Sequence, residues 1–251
     1  MKVEAFIIHL ARAHGRAPQV ERLREALLPM PVTVIDAIDA ERLSEDEIAR
    51  VYRPGLHRPR YPFPLRRAEI ACFLSHRTAW QTIIDRNLDA GLVVEDDVEL
   101  LPNFRDVLEL ALANARPGDY VRFPKQARES DSQVVAEAGA SRLFLPKVLG
   151  LGMQAQLVGR EAASELLAFT RKFDRPVDTT IQMRWLHGVR VLSSAPVAIR
   201  EVAAKLGGTT VQGKGKPFGE ILSREVSRAG YRFAVAMRDV LNSRTAKDRG
   251  N

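Results

Sequence analysis

The sequence predicts an α/β fold with a largely parallel, Rossmann-type central sheet flanked by helices, and three observations predict it. Short apolar, β-branched runs recur along the chain, and most are followed by stretches with the 3.6-residue helical period. With 251 residues, 45% of them hydrophobic and 27% charged, the chain can bury a large core and is too apolar to be disordered. A single cysteine, Cys72, excludes both a disulfide framework and a cysteine-rich metal site.

Val3 to Leu10 is apolar and bounded by charge, as a buried strand is. Arg16 to Leu28 places Val20, Leu23, Ala26 and Leu27 on one helical face, and Pro29 and Pro31 end it. Val32 to Ile35 is a second strand. Residues 52–66 hold Pro54, Pro59, Pro62 and Pro64 among basic residues and read as an irregular loop. Arg67 to Asn87 is the most regular helix, with Ile70, Phe73, Leu74, Trp80, Ile83 and Ile84 in period.

Gly91 to Val94 is a strand that runs into Glu95-Asp96-Asp97. Pro102 to Ala115 is helical with proline in its first turn, and Tyr120 to Phe123 is a strand. Residues 124–150 show no clear period. Gln154 to Val158 reads as extended, Arg160 to Lys172 as helical and Val189 to Ser193 as extended. Residues 207–219 form a Gly/Lys-rich loop, and Glu220 to Leu241 an amphipathic helix. The expected organisation is a main domain over 1–204 and a basic appendage over 205–251.

Charge supports that division. The chain carries a net +7, and residues 205–251 hold ten Lys/Arg against four acids, +6 of that total. Such a segment is either a solvated tail or a partner for phosphate, in nucleic acid, a nucleotide or an anionic membrane surface. Its few aromatics give little to stack on bases, so no nucleic-acid partner is expected. Leu222, Val226, Ala229, Phe233, Met237 and Val240 form a stripe that either lies in an anionic lipid interface or packs onto the main domain. The apolar run Ala5 to Ile8 stops at His9, short of the ~20 residues of a membrane span and without a signal-peptide cleavage site. The expectation is a cytoplasmic protein that begins near Met1, peripheral on a membrane at most.

The acidic triplet is the most informative segment. Adjacent carboxylates at a strand end raise one another's pKa, and a hard divalent cation resolves the conflict. Alternation along extended chain puts Glu95 and Asp97 on one side and Asp96 on the other. The alternative is a solvated acidic turn. Glu69 and His76, seven residues apart on one helix, lie within about 20° of each other, with Arg66 and Ser75 nearby. They face either a site or solvent. Gly208 to Lys214 spells G-x-x-x-x-G-K, but Gly215 stands where a P-loop needs Ser or Thr. A mobile Gly/Lys loop can still close over a diphosphate.

Three segments together resemble glycosyltransferase family 25, which holds bacterial lipooligosaccharide glycosyltransferases and collagen galactosyltransferases. They are Phe6 to Leu10 with Arg12, Arg16 and Ala37-Ile38-Asp39-Ala40; Glu69 to His76 with Trp80; and Val93 to Val98. Gly152 to Leu157 with Pro176-Val177-Asp178 adds a weaker fourth match. The resemblance implies a GT-A-type fold, a nucleotide-sugar donor, most often UDP-galactose, and Mn²⁺ or Mg²⁺. It also implies a lipopolysaccharide, lipooligosaccharide or related glycan acceptor. On that basis Asp97 and Glu95 are the metal ligands, and Leu10, Arg12, Ser75, His76, Glu95, Asp96 and Lys214 the donor side. Asp178 is the candidate base, with Glu69 in reserve; Asp178 is otherwise a helix N-cap. The competing reading is an inactive glycan-binding protein on the same scaffold, against which the intact triplet argues.

Overall fold

The computed structural model describes residues 1–206, 230, 231 and 233–239. Lys214, the Gly/Lys loop and the expected stripe residues Leu222, Val226, Ala229 and Val240 lie outside them. The elements are β1 (Val3–His9), α1 (Ala17–Ala26), β2 (Val32–Asp36), α2 (Glu45–Val51), α3 (Arg67–Asp85), β3 (Ala90–Glu95), β4 (Val98–Leu100) and α4 (Phe104–Asn114). They continue with β5 (Asp119–Arg122), β6 (Asp131–Ala138), β7 (Ser141–Pro146), β8 (Ala155–Gly159), α5 (Arg160–Phe169), α6 (Val177–Ile181), α7 (Arg184–His187), β9 (Arg190–Ala195) and β10 (Ile199–Glu201).

Eight strands form one sheet in the order β2-β1-β3-β8-β5-β9-β7-β6. β1 pairs in parallel with β2 and β3, and β5 with β9. β8 runs against both β3 and β5, and β7 against both β9 and β6. All strands of this sheet but β8 and β7 therefore share one direction, and the α/β class with a mostly parallel central sheet holds.

Alternate strand residues feed two cores. Phe6, Ile8, Val93, Val158 and Val191 face α3 and α5, packing on Ile70, Phe73, Trp80, Ile83 and Leu166. Ala5, Ile7, Leu92, Val94 and Val121 face α1 and α4 through Val20, Leu23, Val107 and Ala111. Gly91 permits the closeness of α3 to β3, since a Cβ there would meet Ile83 Cγ1 at 2.6 Å.

The expected elements appear with ends shifted by a few residues, as where Arg16–Leu28 becomes α1, Ala17–Ala26. Several features carried no sequence expectation. α2 starts on a capping box between Ser44 and Glu47. β6 and β7 form a hairpin inside the aperiodic 124–150 stretch. The short β4 and β10 pair with each other, and α7 precedes β9. The helix start considered at Asp178 appears as α6, Val177–Ile181.

Candidate active site

The carboxyl ends of β1 and β3 open onto a cavity of about 720 Å³, at the sheet edge where α/β folds bind ligands. Leu10, Arg12, Glu69, Ser75 and His76 line it. Glu95, Asp96, Asp97 and Asp178 line it too. Leu10 and Asp178, 168 positions apart in sequence, are thus gathered around one space.

The acidic triplet divides by its partners. Asp96 is 5% exposed and fully engaged: Arg16 Nη1 donates to its Oδ1 at 2.5 Å, and His9 Nδ1 lies 2.7 Å from its Oδ2. Asp97 is not. Its Oδ2 is 3.8 Å from Arg16 Nη1, and its buried Oδ1 has no hydrogen-bond partner among the described residues. Burial first, and then the charge of Glu95, push its carboxyl up to about 7. Glu95 Oε1 lies 3.1 Å from His76 Nε2, and Gln156 Nε2 faces His76 Nδ1 at 3.3 Å. That arrangement suits a neutral imidazole whose Nε2–H donates to Glu95 and orients it.

Glu95 and Asp97 are therefore the acids with oxygen to spare. Two carboxylates, one with an orphaned buried atom, are the donor set a hard divalent cation takes, alongside water and phosphate oxygens. A second arrangement, Cys72, His76 and Glu95, brings its ligand atoms within 4.8 Å of one another. Burial and the charge of Glu95 push the Cys72 thiol well up, and its soft sulfur does not suit a hard cation, which prefers oxygen.

The α3 face is partly committed to structure. Glu69 Oε2 accepts from the Arg66 backbone N–H at 2.8 Å, capping the helix. Ser75 Oγ accepts from Ile38 N at 2.9 Å and donates to Ala71 O at 2.8 Å, tying α3 to the loop after β2. Arg12 pairs with Asp39 at 2.8 Å and Glu41 at 2.9 Å, which fixes the turn after β1.

A second wall comes from later in the chain. Asp178 Oδ1 accepts from Thr179 N at 2.7 Å and its Oδ2 from Gly152 N at 3.2 Å. Burial raises its pKa all the same. The N-cap of α6 is Pro176, so Asp178 sits inside the first turn rather than at the cap. Arg122 lines this wall, paired with Glu129 and donating to Leu151 O at 3.0 Å. Neither residue was singled out from the sequence, since Glu129 falls in the aperiodic stretch and Arg122 reads as one more strand residue.

Residues 230, 231 and 233–239 are helical and lie on the main domain. Tyr231 and Val235 are buried, and Arg184 Nε donates to Asp239 Oδ1 at 3.0 Å. Phe233 and Met237, on the stripe that was to face lipid or pack on the main domain, are 66% and 48% exposed. The helix is turned by its polar anchors: Tyr231 meets Arg175 and Asp239 meets Arg184. Among the described residues no helix is long and apolar enough to cross a membrane.

The comparisons with known proteins now have a geometry to stand beside. Residues 2–181 match the family model for glycosyltransferase family 25 (LPS biosynthesis protein). Human procollagen galactosyltransferase 2 is 30% identical over 65% of this chain and 28% of its own length. An Anopheles gambiae glycosyltransferase 25 family member is 31% identical over 64% of this chain and 29% of its own. The human inactive glycosyltransferase 25 family member 3 is 37% identical over 42% of this chain and 18% of its own. The match thus spans under a third of the length of these relatives, whose names include both a galactosyltransferase and an inactive member. With the family model matched from β1 through α6, the chain belongs to glycosyltransferase family 25.

Proposed function

We propose that the chain is a metal-dependent hexosyltransferase that moves a hexose, galactose in the first instance, from a UDP-sugar to a lipopolysaccharide-type glycan. The observation that carries this reading is Asp97. Its buried carboxylate oxygen lacks a partner beside a second carboxylate, at the strand-end cavity.

Glu95 and Asp97 would hold Mn²⁺ or Mg²⁺, which supplies charge neutralisation at the departing diphosphate. Arg16 holds Asp96 and stands next to Asp97, adding a fixed positive charge on this side of the cavity. His76 holds Glu95 in place. On the second wall Asp178, made more basic by burial, takes the proton of the acceptor hydroxyl as that oxygen bonds to the sugar C1 in an inverting transfer. The C1–O bond to the diphosphate breaks, and the electron pair leaves with it. Glu69 is a weaker base candidate, because its Oε2 already serves Arg66.

The relatives named inactive favour one second reading, a glycan-binding protein without turnover. Release of nucleoside diphosphate from UDP-galactose, UDP-glucose and UDP-N-acetylglucosamine, with Mn²⁺ and with EDTA, separates the two. The transferase reading expects Mn²⁺-dependent release from at least one donor; none from any donor refutes it. For a lipid-linked acceptor, the +6 of residues 205–251 would hold the protein at an anionic membrane surface.

A further inference from the structure

We infer that Tyr61 and Phe63 form the platform for the acceptor sugar ring, held in place by Tyr231 from the C-terminal helix. The inference rests on the transferase reading and names the acceptor subsite within it. All three side chains line the cavity. Tyr61 and Phe63 are half-buried, and their rings meet edge to face, with centroids 5.8 Å apart at 86°. Tyr231 meets Tyr61 the same way at 5.3 Å and 87°. The result is an aromatic corner in a cavity that charged side chains also line.

That corner is rigidly built. Arg175, with no exposed surface, donates from Nη1 to the Tyr231 hydroxyl at 2.7 Å and lies 5.6 Å from the ring centroid. The same guanidinium donates to Asp174 Oδ1 at 2.7 Å and to Pro59 O at 3.0 Å. One buried arginine thus joins the Pro-rich loop, the α5-to-α6 segment and the C-terminal helix. Arg238 Nη1 adds a bond to Arg58 O at 3.1 Å. Burial pushes the Tyr231 hydroxyl up to about 12, so it stays protonated under ordinary conditions. Tyr231 is nearly buried and acts as a positioning residue; Tyr61 and Phe63 supply the contact surface.

An aromatic face is negative at its centre and attracts weakly positive C–H groups. A pyranose offers one such apolar C–H face while its rim carries hydroxyls. Here the ring surface stands among groups that suit those hydroxyls, with Arg66, Glu69 and Asp178 lining the same cavity. Position selects the acceptor over the nucleotide base. Arg175 lies three residues before Asp178, and the Asp178 charge acts on the Tyr231 hydroxyl. The charges suited to a diphosphate, Arg16 and Asp97, are gathered around Asp96 just beyond the end of β3.

The test is saturation-transfer NMR, irradiating the protein's aromatic protons with Mn²⁺ and UDP present. Methyl β-galactoside, methyl β-glucoside and methyl β-N-acetylglucosaminide serve as acceptor probes. The wild type should pass saturation to the ring C–H protons of at least one glycoside. Tyr61→Ala and Phe63→Ala should each weaken its binding about five- to tenfold. Tyr231→Phe, which keeps the ring but loses the Arg175 bond, should weaken it about twofold. UDP affinity should stay within about twofold in every variant, which also reports that each remains folded. Loss of UDP binding together with the uracil signals in Tyr61→Ala would assign the corner to the base and overturn the inference. No glycoside signal from the wild type, or an undiminished signal in all variants, would overturn it as well. A wild type that binds no UDP with Mn²⁺ would instead fail the transferase reading.

Discussion

The two walls of the cavity are built on opposite principles. At the β3 end three acids sit together, and one of them, Asp97, keeps a buried oxygen with no partner among the described residues and a carboxyl raised to about 7. In the second, Asp178 accepts two backbone N–H groups and Arg122 is paired with Glu129. The first wall is electrostatically incomplete without a cation; the second is satisfied from within. A site built to bind a charged leaving group keeps unmet charge where the ligand goes, whereas a wall that positions an acceptor gains from rigidity. Even neighbours differ by this rule, since Asp96 is fully paired next to Asp97.

Breaking the second wall at its reacting group gives the largest effect. Asp178→Asn should lower kcat about 10²- to 10⁴-fold while leaving UDP binding intact, as read by steady-state kinetics and calorimetry. An unchanged kcat would remove Asp178 as the base.

The contrast within the triplet is the next largest. Asp96→Asn strips a buried partner from Arg16 and should cost about 3 kcal/mol of metal-free stability in a denaturant titration. Asp97→Asn relieves an unmet buried charge and should leave metal-free stability unchanged or raise it. Equal destabilisation by both would mean that Asp97 is structural.

A pH titration sharpens the claim that the second wall is satisfied from within. His187, packed at the end of α7 behind α6, has both ring nitrogens occupied, with Nε2 bonding Ile181 O at 3.0 Å and Nδ1 accepting from Val189 N at 3.1 Å. A second ring proton would face the Val189 N–H, and burial lowers its pKa to about 4. The unfolded chain takes up that proton near pH 6.5, before the folded one does. Stability from this group is therefore full above that pH and is lost as pH falls towards 4, by about 3 kcal/mol. His187→Asn should flatten the acid limb of stability against pH; an unchanged limb would contradict the assignment.

The smallest effect concerns the tail. Each Arg or Lys near an anionic bilayer contributes about 1 kcal/mol, screened by salt. The full chain should co-sediment with phosphatidylglycerol vesicles at low salt, and a chain ending before Lys214 should bind less. Equal binding, or none by either, rejects the membrane role.

Legibility in the sequence follows the same divide. β1, α3 and the β3 triplet were readable because each is a local pattern: an apolar run, a helical period, three acids at a strand end. The second wall depends on partners distant in sequence. Tyr231 meets an arginine 56 residues earlier and Asp239 one 55 residues earlier, so helical periodicity alone marked Phe233 and Met237 but not the residues that dock the helix. The β6–β7 hairpin escaped because β6 is an edge strand exposed along most of its length, with register shifts that blur alternation. The Ser44–Glu47 capping box was present in the sequence but stood before a helix with no buried residue, hence without an apolar period to mark it.

The central claim is that Glu95 and Asp97 hold a divalent cation while Asp96 serves the fold. Isothermal titration of Mn²⁺, in the presence of UDP, into wild type and Asp97→Asn tests it most directly. The account predicts one saturable Mn²⁺ site in the wild type and a loss of at least about a hundredfold in affinity in a folded Asp97→Asn. Mn²⁺ binding of equal strength in the two proteins, or none in the wild type, would contradict it.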